Sequence, residues 1–176
     1  MRTVVLGPWP AELQRLIERR HALGIDLFDE VWEGSYHLAP APNAAHGYMD
    51  DVLAVLLHPY AQAAGLVGTG PFNLGRADDY RVPDRGYHRG RPRGTWVPTA
   101  AIVVEVVSPD DETYEKFAFY ADHGVDEIIV ADPSALELTI WRRTSAEGYD
   151  EAQMSVLLDV AAADLARAIP WPDGTD

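Results

Sequence analysis

The chain has 176 residues, 47% of them hydrophobic and 24% charged, so we expect a single globular domain over residues 1–176. No apolar run approaches the ~18 residues of a membrane span, so we expect no membrane partner and a cytoplasmic location. The 28 acidic and 14 basic residues give a net charge of −14, which argues against a general electrostatic attraction to nucleic acid. There is no cysteine, which excludes disulfides and thiolate metal sites and favours Mg²⁺ or Mn²⁺ over Zn²⁺ for any bound metal.

The first predicted elements are a helix and a β-hairpin. Apolar residues recur at helical spacing over residues 10–21. The alternation over residues 27–32, the turn at Glu33-Gly34 and a return over residues 35–39 predict the hairpin. Glu30 lies on the aromatic face of this hairpin, where it is either a core carboxylate or a site residue.

A second, longer helix follows the hairpin. Asn43 is a good N-cap, and the apolar stripe predicts a helix that ends near Ala64, with Pro59 kinking or dividing it. His46 lies in the first turn. A histidine at such a position is usually a capping or packing residue, and a role in a functional site is the alternative.

The middle of the chain is rich in glycine, proline and arginine. Residues 66–74 read as one strand broken by glycines, residues 80–84 as a short strand end, and residues 85–98 as an exposed, mobile loop. Four arginines in this loop are the best candidates for phosphate contacts in so acidic a protein, and a loop kept soluble by charge is the alternative. They are Arg85, Arg89, Arg91 and Arg93.

The central prediction is a buried strand over residues 100–109. Its β-branched run is typical of a strand buried on both faces. An amphipathic helix over residues 111–123 follows, with Tyr114, Phe117, Ala118 and Ala121 inward, and then further strands and a short last helix. This order predicts an α/β fold with one mixed sheet flanked by helices and a peripheral hairpin.

Glu105 lies within the buried strand and needs a partner. An isolated buried carboxylate costs several kcal/mol unless it is paired or binds a metal. One interpretation is a salt bridge to a buried Arg or Lys. The other is a metal site, in which Asp84, at the end of a neighbouring strand, converges with Glu105 on a divalent cation, the backbone carbonyl of Val107 adds an oxygen, and Lys116 reaches the same place.

Several motifs in the same order resemble the bacterial Uma-two family, a branch of the PD-(D/E)xK nuclease superfamily, over about residues 26–141. Two of them carry the predicted metal ligands: Arg81-Val-Pro-Asp84 and Val104-Glu-Val-Val-Ser-Pro109. The others are Glu30-Val-Trp-Glu-Gly34 followed by Ala39-Pro40 and His46, Glu112-Thr-Tyr-Glu-Lys116, Tyr120-Ala-Asp-His-Gly-Val125, and residues 128–133.

The resemblance implies a restriction-endonuclease-like fold, a nuclease core over residues 26–141 and an Mg²⁺- or Mn²⁺-dependent endonuclease that acts on nucleic acid, DNA first, as a homodimer. It implies Asp84 and Glu105 as metal ligands and Lys116 as the catalytic lysine, moved from the superfamily's usual position two residues after the Glu, where this chain has Val107. Glu30 and His46 match family positions near this centre.

Two other functions remain open at the level of the sequence. One is a catalytically silent binding or scaffold protein on the same fold, which the net charge of −14 favours. The other is a metal-dependent hydrolase of a small phosphoester, which needs no extended basic surface.

Overall fold

A computed structural model describes residues 3–5, 10–108, 112–145 and 148–172 and has a mixed α/β architecture. A 3₁₀ turn, Thr113–Lys116, directly precedes the third helix. The helices are α1 (Ala11–Leu23), α2 (Ala44–Ala63), α3 (Phe117–Asp122) and α4 (Ala162–Ala168). The strands are β1 (Thr3–Val5), β2 (Glu30–Trp32), β3 (Ser35–Leu38), β4 (Val67–Thr69), β5 (Asn73–Arg76), β6 (Asp79–Arg81), β7 (Arg85–His88), β8 (Trp96–Val97), β9 (Ile102–Val106), β10 (Glu127–Asp132), β11 (Glu137–Arg143), β12 (Tyr149–Ala152), β13 (Met154–Ser155) and β14 (Val160–Ala161).

The strands form two six-stranded sheets and one small two-stranded ladder. The first sheet has the order β1-β3-β2-β6-β5-β8, the second sheet has the order β12-β11-β10-β9-β7-β4, and β13 pairs with β14. In the second sheet β9 runs parallel to β10 and antiparallel to β7. The predicted α/β fold class with its hairpin is confirmed, whereas the expectation of one sheet is wrong.

Strand β9 is buried along its whole length, as its sequence predicts. Val104 and Val106 belong to the same core cluster as Leu53 and Leu57 of α2, on one face of the second sheet. Val103 points to the opposite face, into a cluster with Phe119, Tyr120 and Ile128. Because side chains alternate along a strand, Glu105 lies on the Val103 face, toward α3.

The glycine-rich middle of the chain differs from its prediction. Residues 66–74 are not one strand, because β4 belongs to the second sheet and β5 to the first. Residues 85–88 are strand β7 and not loop, since they pair with both β4 and β9 and bury Tyr87 and His88. The backbone pairing and the buried rings outweigh the local glycine and arginine content.

Two helices also differ in detail. Helix α2 is continuous through Pro59, and Leu57 and Ala61 on either side of the proline are both buried. The predicted helix over residues 111–123 starts later, and Asp111 lies outside the described residues. Tyr114 and Ala118 face solvent instead of the core, because the preceding turn is 3₁₀ and has fewer residues per turn than the α-helix assumed.

No helix in the described part of the chain combines the length and the apolar content that crossing a bilayer requires.

The buried His88 generates a prediction about acid stability. Burial lowers the pKa of His88 below its ordinary value of 6.5. The unfolded chain therefore takes up a proton at this residue at higher pH than the folded protein, so the free energy of unfolding falls as the pH drops through about 6.5. We expect the stability advantage of the parent over His88→Gln to shrink between about pH 7.5 and about pH 5.5 in urea unfolding.

The matched control is His58→Gln, which changes an exposed histidine of α2. Identical pH dependence of unfolding in the parent and His88→Gln would contradict the prediction.

Candidate active site

Two carboxylates meet where β7 begins and β9 ends. The antiparallel register pairs Arg85 with Val104, so Asp84, just before β7, lies beside Glu105. The Val106 backbone N–H donates to Asp84 Oδ2 at 2.8 Å, which ties this carboxylate to the neighbouring strand. Hydrogen bonding between the two strands thus brings together residues that are distant in sequence.

Glu105 is held on one side and open on the other. Its residue is 2% exposed, and its Oε1 accepts hydrogen bonds from Lys116 Nζ at 3.1 Å and from the Tyr120 hydroxyl. Among the residues that the structure describes, none donates to Glu105 Oε2. One oxygen is therefore fixed in place while the other keeps its lone pairs for a further partner.

Burial dominates the electrostatics of this carboxyl group. It raises the pKa of Glu105 to about 7, Lys116 opposes the rise, and the negative charge of Asp84 adds to it. Burial also raises the pKa of Tyr120 well above its ordinary value, so the phenol keeps its proton and acts as the donor. A cation placed beside Glu105 would favour its ionised form.

Lys116 is the only lysine in the chain and is 3% exposed. Its Nζ lies 3.1 Å from Glu105 Oε1 and 3.2 Å from Glu30 Oε1. Glu30 is itself fully buried and also accepts from the Val82 backbone N–H at 2.8 Å and from Trp32 Nε1 at 2.6 Å. The ammonium therefore connects a carboxylate of the first sheet with one of the second.

His46 extends the cluster toward α2. Its Nε2 lies 2.9 Å from Asp84 Oδ1 and its Nδ1 lies 2.9 Å from Ser108 Oγ. Its backbone N–H donates to Asn43 Oδ1 at 2.9 Å, so Asn43 is the N-cap, and the His46 ring contacts the site. The cap of the helix is therefore the side chain of Asn43, whereas the ring of His46 contacts Asp84 and Ser108.

Five of the predicted site residues thus lie in one connected cluster: Glu30, His46, Asp84, Glu105 and Lys116. Val107 follows β9 directly and is half-buried, while Pro109 of the same motif lies outside the described residues.

The four predicted phosphate-binding arginines do not form one group. Arg85 makes a two-pronged ion pair with Asp50 of α2, at 3.0 and 2.8 Å, and Arg89 pairs with Asp126 at 2.8 Å. Arg91 and Arg93 are exposed, and neither forms an ion pair with any residue in the described ranges. Of the four arginines, only Arg91 and Arg93 are exposed without a carboxylate partner among the described residues.

The sequence analysis did not predict Tyr120 as a site residue. The signal that could have found it is its spacing, because residues four apart on a helix share a face and Tyr120 lies four after Lys116. Both side chains donate to the same oxygen of Glu105.

The metal site expected at Asp84 and Glu105 stays a prediction. No group of three or more His, Asp or Glu that could hold a metal was found within the described ranges. The neighbouring carboxylates of Asp84 and Glu105 are nevertheless of the ligand type that suits Mg²⁺, which usually keeps several water ligands and binds through one or two carboxylates.

The burial of Lys116 generates a prediction about chemical labelling. Because this side chain is enclosed between two carboxylates, we expect an amine-reactive reagent to leave Lys116 unmodified in the folded protein and to modify it after urea unfolding. Peptide mass spectrometry measures this. Arg93→Lys, which places a lysine at an exposed position, is the control and should be labelled without denaturant. Rapid labelling of Lys116 in the native protein would contradict the burial of its ammonium group.

Comparisons with known proteins agree with this fold. The chain is similar in fold to a crystal structure described as a putative nuclease belonging to DUF820 from Anabaena variabilis ATCC 29413, with a TM-score of 0.63, 14% identity, and coverage of 80% of this chain and 90% of that one. No curated protein matches the chain. The model of the Uma2 family, described as "Putative restriction endonuclease", matches residues 12–170. The resemblance inferred from the sequence motifs is therefore confirmed, and the chain belongs to the Uma2 family.

Proposed function

We propose that this protein is a metal-dependent endonuclease that hydrolyses phosphodiester bonds in nucleic acid, with DNA the first substrate to test. The observation that carries the proposal is the contact of the buried Lys116 ammonium with Glu105, whose neighbour across the strand pair is Asp84. Two acids and a lysine are the groups that metal-assisted phosphodiester hydrolysis requires.

In this proposal Asp84, Glu105 and the Val107 carbonyl would hold Mg²⁺ or Mn²⁺. The bound ion would polarise the phosphoryl oxygen and lower the pKa of its water. Lys116 orients the attacking water and offsets the negative charge of the transition state. Glu30 fixes the position of the Lys116 ammonium.

Two further residues position the proposed ligands. His46 bonds to Asp84 Oδ1, and the Val106 N–H bonds to Asp84 Oδ2, so the carboxylate has one orientation. Tyr120 holds Glu105 Oε1, so Oε2 would be the oxygen available to a cation. Hydrogen bonds to the side chains that bind a metal commonly affect how tightly the metal is held.

A hydrolase of a small phosphoester is the second candidate, and the net charge of −14 favours it. A small substrate needs the carboxylates and the lysine but no long basic surface. The commitment of Arg85 and Arg89 to ion pairs points the same way, because it removes two of the four candidate phosphate contacts. Exposed Arg91 and Arg93 remain available for a nucleic acid backbone.

We predict that Asp84→Ala and Glu105→Gln each reduce Mg²⁺-dependent cleavage of DNA by at least about 100-fold, because each removes a proposed metal ligand. Cleavage of DNA, RNA and a small phosphodiester is measured side by side, with Asp78→Ala as the control, since the Asp78 side chain is 83% exposed. Equal cleavage by the parent and Asp84→Ala would remove the nuclease proposal. Cleavage of the small phosphodiester alone would favour the second candidate.

We also predict that Tyr120→Phe lowers kcat by about tenfold, because Glu105 loses a hydrogen-bond donor that fixes its position. Tyr149→Phe is the matched control, since this phenol is also held by one hydrogen bond, to the Val125 carbonyl at 2.7 Å. Steady-state kinetics measures both variants. An unchanged kcat in Tyr120→Phe would show that the contact has no part in catalysis.

A further inference from the structure

A second concave site lies between the edges of the two sheets. It is a cavity of about 320 Å³, within the range of ~300–1,000 Å³ that small-molecule sites occupy. Its walls combine apolar side chains with a few polar ones, and they come from the 27, 69–73 and 92–97 segments. Six of the lining residues are Leu27, Thr69, Phe72, Asn73, Thr95 and Val97.

The cavity lies on the same face of the second sheet as Glu105. Thr69 pairs with Gly86, and Gly86 pairs with Val103, two residues before Glu105. Strand spacing and rise place Thr69 about 10 Å across the sheet and about 7 Å along it from Glu105. A short single-stranded segment of nucleic acid can span that distance.

The interior of the cavity is aromatic and polar without a charge. Phe72 packs directly over Gly86, with its ring centroid 4.9 Å from that of His88. Thr69 Oγ1 lies 3.1 Å from Nε2 of the buried His88, which lies behind the wall, and none of the lining residues is charged. Asn73 Nδ2 donates to the Thr95 carbonyl at 3.1 Å, which orients the amide. An uncharged, flat and polar-edged group suits such walls better than a phosphate does.

Two arginines flank one of the lining residues of the cavity along the chain. Pro92 lines the cavity, and its two neighbours in the chain are Arg91 and Arg93, both exposed. Neither forms an ion pair with any residue in the described ranges, although the whole chain has twice as many acidic as basic residues. Basic side chains beside an aromatic wall are the combination that single-strand binding proteins use for backbone and base.

We propose that this cavity binds one unpaired base of a single-stranded substrate next to the phosphodiester that is cleaved, with Arg91 and Arg93 contacting the flanking phosphates; this inference rests on the proposed function. A base inside a duplex is stacked between its neighbours and cannot enter a recess between two sheet edges without leaving the stack. The cavity therefore selects single-stranded over fully paired nucleic acid. Single-stranded nucleic acid is then the substrate class of the proposed active site at Asp84 and Glu105.

The test measures binding without cleavage. A fluorescein-labelled single-stranded DNA octamer is titrated with the parent protein in EDTA, and anisotropy gives Kd. Leu27→Glu and, separately, Thr95→Glu place a carboxylate at the cavity, and we expect each to raise Kd about tenfold, as loss of one stacked base does. Leu23→Glu is the matched control, because Leu23 is 60% and Leu27 68% exposed and only Leu27 lines the cavity. It should change Kd less than about twofold.

A competition experiment completes the test. An unlabelled duplex of the same sequence should displace the octamer at least about tenfold less well than the unlabelled single strand. The inference is overturned if the parent does not bind the octamer, if both cavity variants bind as the Leu23→Glu control does, or if the duplex competes equally. Failure of the proposed function is a different result, because it is read as equal cleavage by the parent and Asp84→Ala, whatever the binding data show.

Discussion

The buried ammonium of Lys116 is the interaction on which the site depends. Its charge lies between Glu30 and Glu105, which come from different sheets and are both almost fully enclosed. Removing the charge of Lys116 would leave two buried carboxylates without their shared cation, which costs several kcal/mol. The docking of the first sheet on the second, and the position of the 3₁₀ turn that carries Lys116, are thus coupled to the geometry of the proposed active site.

A column of stacked rings supports the same junction. Arg81 Cζ lies 4.4 Å from the ring centroid of Trp32 and 4.0 Å from that of Phe119, so one guanidinium sits between the first sheet and α3. His37 stacks on Trp32 at 4.4 Å, and His123 stacks on Phe119 at 3.9 Å. Because Trp32 also donates to Glu30, this column links the first sheet and α3 to the carboxylate that contacts Lys116.

The distribution of charge explains how an acidic chain can still contact an anion. Arg85 is neutralised by Asp50, and this pair joins β7 to α2 beside Asp84. Exposed Arg91 and Arg93, by contrast, add a local positive field at the loop before β8. Screening confines the influence of distant charges to about 8–10 Å at physiological salt, so a local arginine pair can outweigh a negative total.

The sequence by itself determined the elements with strong periodicity and the residue types of the site. The β-branched run around Glu105 required a strand buried on both faces, and a carboxylate there required a compensating charge, because burial of an unpaired ion is costly whatever the fold. Only the tertiary structure decided which charges meet. The strand register that places Asp84 beside Glu105, the choice of Lys116 as the shared cation, and the recruitment of Tyr120 depend on contacts between distant segments. The local sequence also predicted a loop where β7 lies. This strand is stabilised by its pairing with β4 and β9, which the sequence of residues 85–88 alone does not reveal.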